Sequence, residues 1–200
     1  MASGALTLAG CKPSAPAGQE APALAWHGVD ITGASYARSL KLKDVDGRPR
    51  DLAEFKGRVV FVFFGFTQCP DVCPTTMAEL AEVKRRLGAD GERVQGVFVT
   101  VDPERDTPAV LKAYLQGIDP SFIGLRGSLD ELESASREFK VFYQKVPTKD
   151  GNYTMDHTAG GFLFDPAGRA RLFVRYGTKL DDLTADVRQL MTQVSPTPHN

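Results

Sequence analysis

Nearly continuous apolar runs alternate along the chain with segments in which apolar residues recur every three or four positions. The runs at residues 58–66 and 94–101 are rich in Val and Phe, which is typical of strands buried on both faces of a sheet. Helical spacing follows each run, at residues 75–87 and 108–116, and Gly88 marks the end of the first helix. Strands that alternate with helices in this way predict a central sheet covered on both faces.

Shorter elements extend the alternation on both sides. A hairpin is predicted over residues 40–52 around the Asp46-Gly47 turn, and a second one over residues 161–174. Further predicted elements are a strand at 122–125, a helix at 129–139, a strand at 141–146 and a final helix at 180–194. The pattern predicts an α/β fold with a mixed central sheet flanked by helices, in which the first hairpin is an N-terminal extension. A strand, cysteines at its end and a helix, with a hairpin and a helix last, follow the order of a thioredoxin-like fold.

The two ends of the chain lack this periodicity. Residues 12–25 are rich in Pro and Ala, a composition typical of a flexible tether, and residues 194–200 are predicted to be a disordered tail. We therefore expect one folded domain at residues 26–193. Residues 1–25 are expected to hold the tether and, before it, a lipobox-like N-terminus.

Residues 8–11 resemble a bacterial lipobox, in which the cysteine becomes the lipid-bearing first residue of the mature protein. The charged segment that begins a signal peptide is missing, so an ordinary N-terminus with a chance cysteine is the alternative. A lipid on Cys11 would anchor the chain to a membrane without crossing it. The sequence contains no apolar run of roughly 18 residues or more, so no membrane-spanning helix is predicted.

Composition narrows the class of protein. The chain has 200 residues, of which 42% are hydrophobic and 24% charged, as in an ordinary globular domain with its own core. A net charge of -1 excludes a strongly basic nucleic-acid binder, so no nucleic-acid partner is expected. Three cysteines are too few for a scaffold held by disulfides. The chemistry is therefore sought in a few side chains, beginning with two cysteines that lie four residues apart.

Cys69 and Cys73 lie where a predicted buried strand gives way to a helix. Pro74 has no amide hydrogen and suits the first turn of that helix, so both thiols are expected near its N-terminus. The helix dipole favours thiolate over thiol there, which would make both sulfurs better nucleophiles and better ligands. Two chemistries are open, a disulfide or a pair of thiolates that hold a soft cation such as Cu(I). Chance spacing of two buried cysteines is the alternative.

His157 is the candidate third ligand. It lies in segment 153–161, whose polar residues and terminal glycines indicate a loop just before the last hairpin. The adjacent Asp156 is expected to orient the ring or to place charge beside the metal. The only other thiol and imidazole groups belong to Cys11, His27 and His199, all in segments expected to be flexible. A set of two sulfurs and one nitrogen suits three-coordinate Cu(I) better than structural zinc, which favours four ligands. The alternative for His157 alone is an ordinary loop histidine.

A charged segment at residues 102–108 follows the second buried strand. The structural interpretation is that Asp106 or Thr107 caps the next helix and that Pro108 occupies its first turn. The functional interpretation is that this loop lies beside the cysteines as a rim that contacts a partner.

Taken together, these segments resemble the Sco/SenC family. The matching motifs lie in the same order at residues 30–33, 64–76, 101–108, 122–125 and 156–158. The resemblance implies a thioredoxin-like domain on the outer face of an energy-transducing membrane. It implies that Cys69, Cys73 and His157 bind copper and that the copper is delivered to the CuA centre of cytochrome c oxidase subunit II. Both Cu(I) and Cu(II) fit such ligands chemically, because thiolates favour Cu(I) and imidazole accommodates either ion. Gln68 stands where many relatives carry His, which removes an auxiliary ligand.

Two main functions follow. A copper chaperone would need all three ligands, whereas a thiol–disulfide reductase that keeps the CuA cysteines reduced would need only Cys69 and Cys73. Reduction of peroxides is disfavoured because Thr67 is one residue too close to Cys69 for a peroxidatic motif; a sensor of copper or redox state is a further alternative. The expected partners are the CuA domain of subunit II and either a copper donor protein or a thiol–disulfide reductant. The expected location is the periplasmic face of a bacterial cytoplasmic membrane, with Cys11 as the lipid anchor.

Overall fold

A computed structural model of the protein describes Met1 and residues 25–193. The predicted lipobox with Cys11, the tether before residue 25, and the tail with His199 lie outside the described residues. The strands are β1 (Val29–Asp30), β2 (Lys41–Asp44), β3 (Pro49–Asp51), β4 (Val59–Gly65), β5 (Val94–Thr100), β6 (Ile123–Arg126), β7 (Tyr143–Pro147), β8 (Tyr153–His157), β9 (Gly160–Phe164) and β10 (Ala170–Arg175). The α-helices are α1 (Val72–Leu87), α2 (Pro108–Gln116), α3 (Leu129–Phe139) and α4 (Leu180–Thr192).

Eight of these strands form one sheet in the order β1-β10-β9-β4-β5-β6-β2-β3. The central strands β4, β5 and β6 run parallel, and all other neighbours pair antiparallel. The mixed sheet is therefore confirmed. The predicted N-terminal hairpin is confirmed too, and it completes one edge of the sheet because β2 pairs with β6.

Strands β4 and β5 are buried along their whole length, as their apolar runs predict. Side chains of β4 alternate between the two faces of the sheet. On one face Phe63 packs against Phe98, which in turn packs against Tyr114 of α2 at a centroid distance of 5.6 Å. On the other face Phe64 meets Phe139 of α3 at 5.2 Å. Helices therefore cover both faces.

The turns of the two predicted hairpins share one construction, because residues 44–50 and 165–171 both read Asp-x-x-Gly-Arg-x-Arg. The first residue of each, Asp44 or Asp165, is buried. One of its carboxylate oxygens accepts hydrogen bonds of 2.9 to 3.0 Å from the backbone N–H groups two and four residues later. The other oxygen accepts from the arginine six residues later. The glycine in each turn has a φ of +80° or +81°, which only glycine adopts readily.

Two local predictions are wrong. Helix α1 begins at Val72 rather than at residue 75, because proline is tolerated within the first turn, where its missing N–H has no intrahelical acceptor. Segment 153–161 is not a loop, because Tyr153–His157 form β8, which pairs with β7 in a separate two-stranded sheet. Polar composition suggested a loop, whereas β8 is a strand with a buried Met155 next to an exposed Asp156. In the described part of the chain, no helix has the length and apolar character needed to cross a membrane.

Candidate metal centre

The two cysteines lie at the N-terminus of α1, beyond the end of β4. Cys69 is in the connecting loop and half-buried, and Cys73 is in the first turn of the helix and fully buried. Both are free thiols. The backbone N–H of Cys73 points at Sγ of Cys69, at 3.4 Å. The helix N-terminus therefore directs a donor at one sulfur, as expected for a site that stabilises negative charge.

His157 is the last residue of β8, and its ring faces the cysteines. Nε2 of His157 lies 3.4 Å from Sγ of Cys73, and Nδ1 lies 3.0 Å from the carbonyl oxygen of Thr158. A proton on Nδ1 satisfies that carbonyl, which leaves the lone pair of Nε2 for a cation. The rings of Phe63 and Phe66 both meet the imidazole edge to face at 5.9 Å. The hydrogen bond at Nδ1 and the two aromatic rings therefore together fix the orientation of the imidazole.

Among the described residues, one cluster brings three candidate metal-binding side chains together, and it consists of Cys69, Cys73 and His157. Their ligand atoms all lie within 4.8 Å of one another. Two soft sulfurs and one imidazole nitrogen fit copper, above all Cu(I). A structural zinc site would need a fourth protein ligand.

The two sulfurs differ in their affinity for a proton. The hydrogen bond from the Cys73 thiol, followed by backbone N–H groups of Cys73 and Asp71, lowers the pKa of Cys69 to about 5 despite partial burial. The pKa of Cys73 is raised, because its proton is held in that hydrogen bond and because burial penalises its thiolate. The expectation that the helix dipole activates both sulfurs is therefore wrong for Cys73 in the metal-free protein.

Gly65, the last residue of β4, makes room for Cys73. A Cβ atom on Gly65 would lie 2.9 Å from Sγ of Cys73 and 2.7 Å from a ring carbon of Phe63. Sequence reasoning missed this residue, although a glycine at the end of a buried strand is a recognised sign of close approach. The missed aromatic contacts of Phe63 and Phe66 had no comparable signal, because both residues look like ordinary core.

The charged segment after β5 packs against the loop that carries Cys69. Thr107 caps α2 by accepting a hydrogen bond from the backbone of Val110, which confirms the structural interpretation of this residue. Asp106 does not cap the helix. Its buried carboxylate accepts hydrogen bonds from the hydroxyl groups of Thr67 and Thr100 at 2.7 and 2.6 Å, and burial raises its pKa. Asp106 therefore ties the loop that carries Cys69 to the end of β5.

The other predicted residues lie around the cluster or away from it. Asp156 is exposed and lines a cleft of ≈ 210 Å³ together with Cys69 and His157. The Thr158 carbonyl occupies the position from which Asp156 was expected to orient the ring, so a charge beside the metal is the role that stays a prediction for Asp156. His27 lies on the surface, where its backbone N–H donates to Asp186 at 3.0 Å, and it takes no part in the cluster.

Comparison with known proteins places this geometry in a family. The SCO1/SenC family profile matches residues 30–192. A curated relative, the mitochondrial SCO2 homolog of Mus musculus, is 42% identical over 138 residues, which are 68% of this chain and 53% of that protein. The chain thus spans about half the length of this relative.

Solved structures agree with this assignment. Copper-bound ScoI of Bradyrhizobium japonicum is 41% identical with a TM-score of 0.68, and the match covers 76% of this chain and 97% of that one. Apo Sco1 of Thermus thermophilus is 38% identical with a TM-score of 0.72, covering 85% and 99% respectively. The thioredoxin-like α/β fold predicted from the sequence is confirmed. Because the profile spans nearly all the described residues and the relatives share both sequence and fold, the chain belongs to the SCO1/SenC family.

Proposed function

We propose that this protein binds copper through Cys69, Cys73 and His157 and delivers it to the CuA centre of cytochrome c oxidase subunit II. The observation that carries the proposal is the convergence of two sulfurs and an imidazole nitrogen within 4.8 Å at a surface cleft. Membership of a family that includes copper-bound Sco structures supports the choice of metal. Copper is the cargo in this reaction, so the site must both hold it and release it.

The unequal sulfurs suggest how loading proceeds. Cys69, already a thiolate near neutral pH and partly exposed, is the first ligand to reach an incoming Cu(I) ion. Cys73 then gives up its proton to solvent as its sulfur binds, and Nε2 of His157 supplies the third bond. Three ligands leave a position open to a thiolate or imidazole of the acceptor. Release reverses these steps: one ligand of this chain leaves at a time, Cys73 takes a proton back, and copper keeps its oxidation state.

The cellular setting is part of the proposal. The acceptor is the CuA domain of subunit II, and the copper comes from a donor protein. The proposed location is the periplasmic face of a bacterial cytoplasmic membrane, with a lipid on Cys11 as the attachment.

The test is a Cu(I) titration of the reduced protein against a competing chelator. We expect one tight equivalent in the wild type and binding weakened about tenfold or more in His157→Ala, because one of the three bonds is lost. His27→Ala is the matched control and should bind as the wild type does. Transfer is then measured by mixing the loaded protein with the reduced, metal-free CuA domain. Weak binding in the wild type, or equal binding in His157→Ala, contradicts the proposal.

A second candidate function is reduction of a disulfide, favoured by a partly exposed Cys69 of low pKa next to a buried Cys73 of high pKa. The Cys69 thiolate attacks a sulfur of the target disulfide, a mixed disulfide forms, and one target thiolate leaves. Cys73 then loses its proton to that thiolate and attacks the Cys69 sulfur, which expels the second target thiolate. The target gains two electrons, this chain is left with a Cys69–Cys73 disulfide, and a dithiol reductant restores it.

The two functions separate at His157. If disulfide reduction is the main activity, His157→Ala reduces the oxidised CuA domain as fast as the wild type does, although it holds copper poorly. Cys73→Ser should stop turnover at the mixed disulfide, which mass spectrometry detects. A wild-type protein that leaves the oxidised CuA domain unchanged excludes the reductase.

A further inference from the structure

Strand β8, which ends at His157, is not part of the main sheet. Strand β8 pairs only with β7, and the two form a separate two-stranded sheet in the described part of the chain. An isolated hairpin of two strands is marginally stable in water. The main sheet holds the chain only on the C-terminal side of His157, through β9, which begins at Gly160. On the N-terminal side, side chains connect the β7–β8 hairpin to the rest of the domain.

Arg105, in the loop after β5, makes several of these connections. Its Nη1 donates a hydrogen bond of 2.7 Å to the carbonyl oxygen of Tyr153, the first residue of β8. Its guanidinium carbon lies 3.7 Å from the centre of the Tyr153 ring, which places the two groups in stacking contact. The planar guanidinium thus hydrogen-bonds the backbone of Tyr153 and stacks on its side chain.

Asp102 closes this arrangement into a ring of three residues. Its carboxylate is fully buried and forms an ion pair with Nε of Arg105. Its other oxygen accepts a hydrogen bond of 3.0 Å from the hydroxyl of Tyr153. Asp102 therefore orients both Arg105 and Tyr153, and burial makes these charge-assisted contacts stronger than exposed ones.

A second path leads from Arg105 towards the imidazole itself. The guanidinium lies 5.9 Å from the ring centre of Phe66, and the same Phe66 ring meets His157 edge to face at 5.9 Å. The exposed ion pair between Lys145 and Glu104, at 2.7 Å, adds one further link between hairpin and loop. Arg105 thus touches the start of the strand that ends at His157 and also the aromatic ring that packs on His157.

We propose that Arg105 is a positioning residue for His157. Its contacts with Tyr153 and Phe66 hold the β7–β8 hairpin where Nε2 of His157 can bind the same ion as the two sulfurs. This inference rests on the proposed copper site. Arg105 touches none of the three ligand side chains, so removing it leaves all three donor groups in the chain. The ligand it acts on is the histidine, because its hydrogen bond and its stacking contact both go to Tyr153 of the strand that ends at His157. Its approach to the loop that carries Cys69 is limited to the more distant Phe66 ring.

A double-mutant cycle on Cu(I) affinity tests this directly. Arg105→Ala should weaken chelator-competed Cu(I) binding about tenfold, the range seen when partners that orient a ligand are removed. In the His157→Ala background the same substitution should change the affinity by less than about twofold, because the residue it acts through is already gone. Arg105→Lys keeps the positive charge but loses the planar guanidinium that stacks on Tyr153. Its Cu(I) affinity should fall less than that of Arg105→Ala. Arg137→Ala, which breaks an exposed ion pair on α3, is the control and should bind as the wild type does.

A second readout uses the metal-free, reduced protein. Amide hydrogen exchange over residues 153–157 should accelerate in Arg105→Ala and stay unchanged over β4 and β5. If Arg105→Ala fails to fold, Tyr153→Phe, which removes only the hydroxyl bond to Asp102, carries the same tests with smaller effects.

The outcomes separate this inference from the copper proposal. If the wild type binds no Cu(I) tightly, the proposed function fails whatever Arg105 does. If the wild type binds tightly and His157→Ala weakens it, two results overturn the role of Arg105: an Arg105→Ala affinity within about twofold of wild type, or an equal loss in both backgrounds of the cycle.

Discussion

At the scale of single residues, the candidate metal centre combines a partly exposed sulfur of low pKa with a buried sulfur of raised pKa. Cys69 is half-buried with a pKa lowered to about 5, chiefly by the hydrogen bond from Cys73, whereas Cys73 is fully buried and has a raised pKa. Such a pair keeps one thiolate ready near neutral pH and the other sulfur protonated until a metal or a disulfide partner arrives. The difference follows from burial and hydrogen bonding, since both cysteines share one helix N-terminus.

Alkylation of the metal-free protein measures this difference. In a Cys11→Ser background, Cys69 should react with iodoacetamide at nearly its full rate at pH 7. Its rate should fall as the pH drops through about 5, because a lowered pKa keeps the thiolate down to that value and protonation then removes it. Cys73 should react only when the domain unfolds. Peptide mass spectrometry assigns each site, and a Cys69 midpoint near the ordinary thiol value of about 8.5 contradicts the asymmetry.

Gly65 is the second residue-scale feature that can be tested. Gly65→Ala places a methyl group 2.9 Å from Sγ of Cys73 and 2.7 Å from Phe63, so one of them must move. We expect a loss of about 1–3 kcal/mol in the free energy of unfolding, together with weaker Cu(I) binding. Gly117→Ala is the matched control, because Gly117 has a helical φ of -72° and its nearest neighbours would lie at 3.4 Å or more. Equal urea midpoints for the two variants would remove the close approach as a constraint.

At the scale of elements, the two hairpins show how a short motif can specify a turn. Residues 44–50 and 165–171 repeat Asp-x-x-Gly-Arg-x-Arg, and in both the buried carboxylate accepts backbone N–H groups while an arginine neutralises its charge. The glycine supplies the positive φ that the turn needs. The same local solution thus closes a hairpin at the edge of the sheet and another between β9 and β10.

The second of these turns gives a stability prediction. Asp165→Ala leaves two backbone N–H groups and two arginines without their shared acceptor, so we expect a loss of about 1–3 kcal/mol in the free energy of unfolding, measured by urea denaturation. Asp46→Ala, in the equivalent first turn, removes an exposed carboxylate and should change stability by less than about 0.5 kcal/mol. A loss no larger in Asp165→Ala than in Asp46→Ala contradicts this account of the turn.

At the scale of the whole molecule, the centre exists because parallel strands end at the same edge of the sheet. Gly65 pairs with Thr100 at the last position of β4 and β5, so the loop that carries Cys69 and the loop that carries Arg105 leave the sheet side by side. The β7–β8 hairpin then folds over that edge and brings His157 to Cys73. Residues 88 positions apart in sequence, 69 and 157, become neighbours through this arrangement.

Much of the fold could be predicted because its signals are local. Helices α2 and α3 have the bounds that apolar spacing and capping residues predict, and the buried runs of β4 and β5 hold their positions to within two residues. Strand β8 was missed because its polar residues carry no signal strong enough to distinguish a half-exposed strand from a loop. Its identity depends on pairing with β7.

The sequence by itself determined which side chains can bind a soft metal and where the elements that carry them lie, because ligand type, helix caps and apolar periodicity are properties of neighbouring residues. Only the tertiary structure decided that Cys73 has a raised pKa and that Gly65 must lack a side chain. It also decided that Arg105 and Asp102 bind Tyr153 in the hairpin that carries His157. Each of these depends on burial or on contacts between residues far apart in the chain. The physical reason is that desolvation, close packing and long-range hydrogen bonds arise only when distant segments meet.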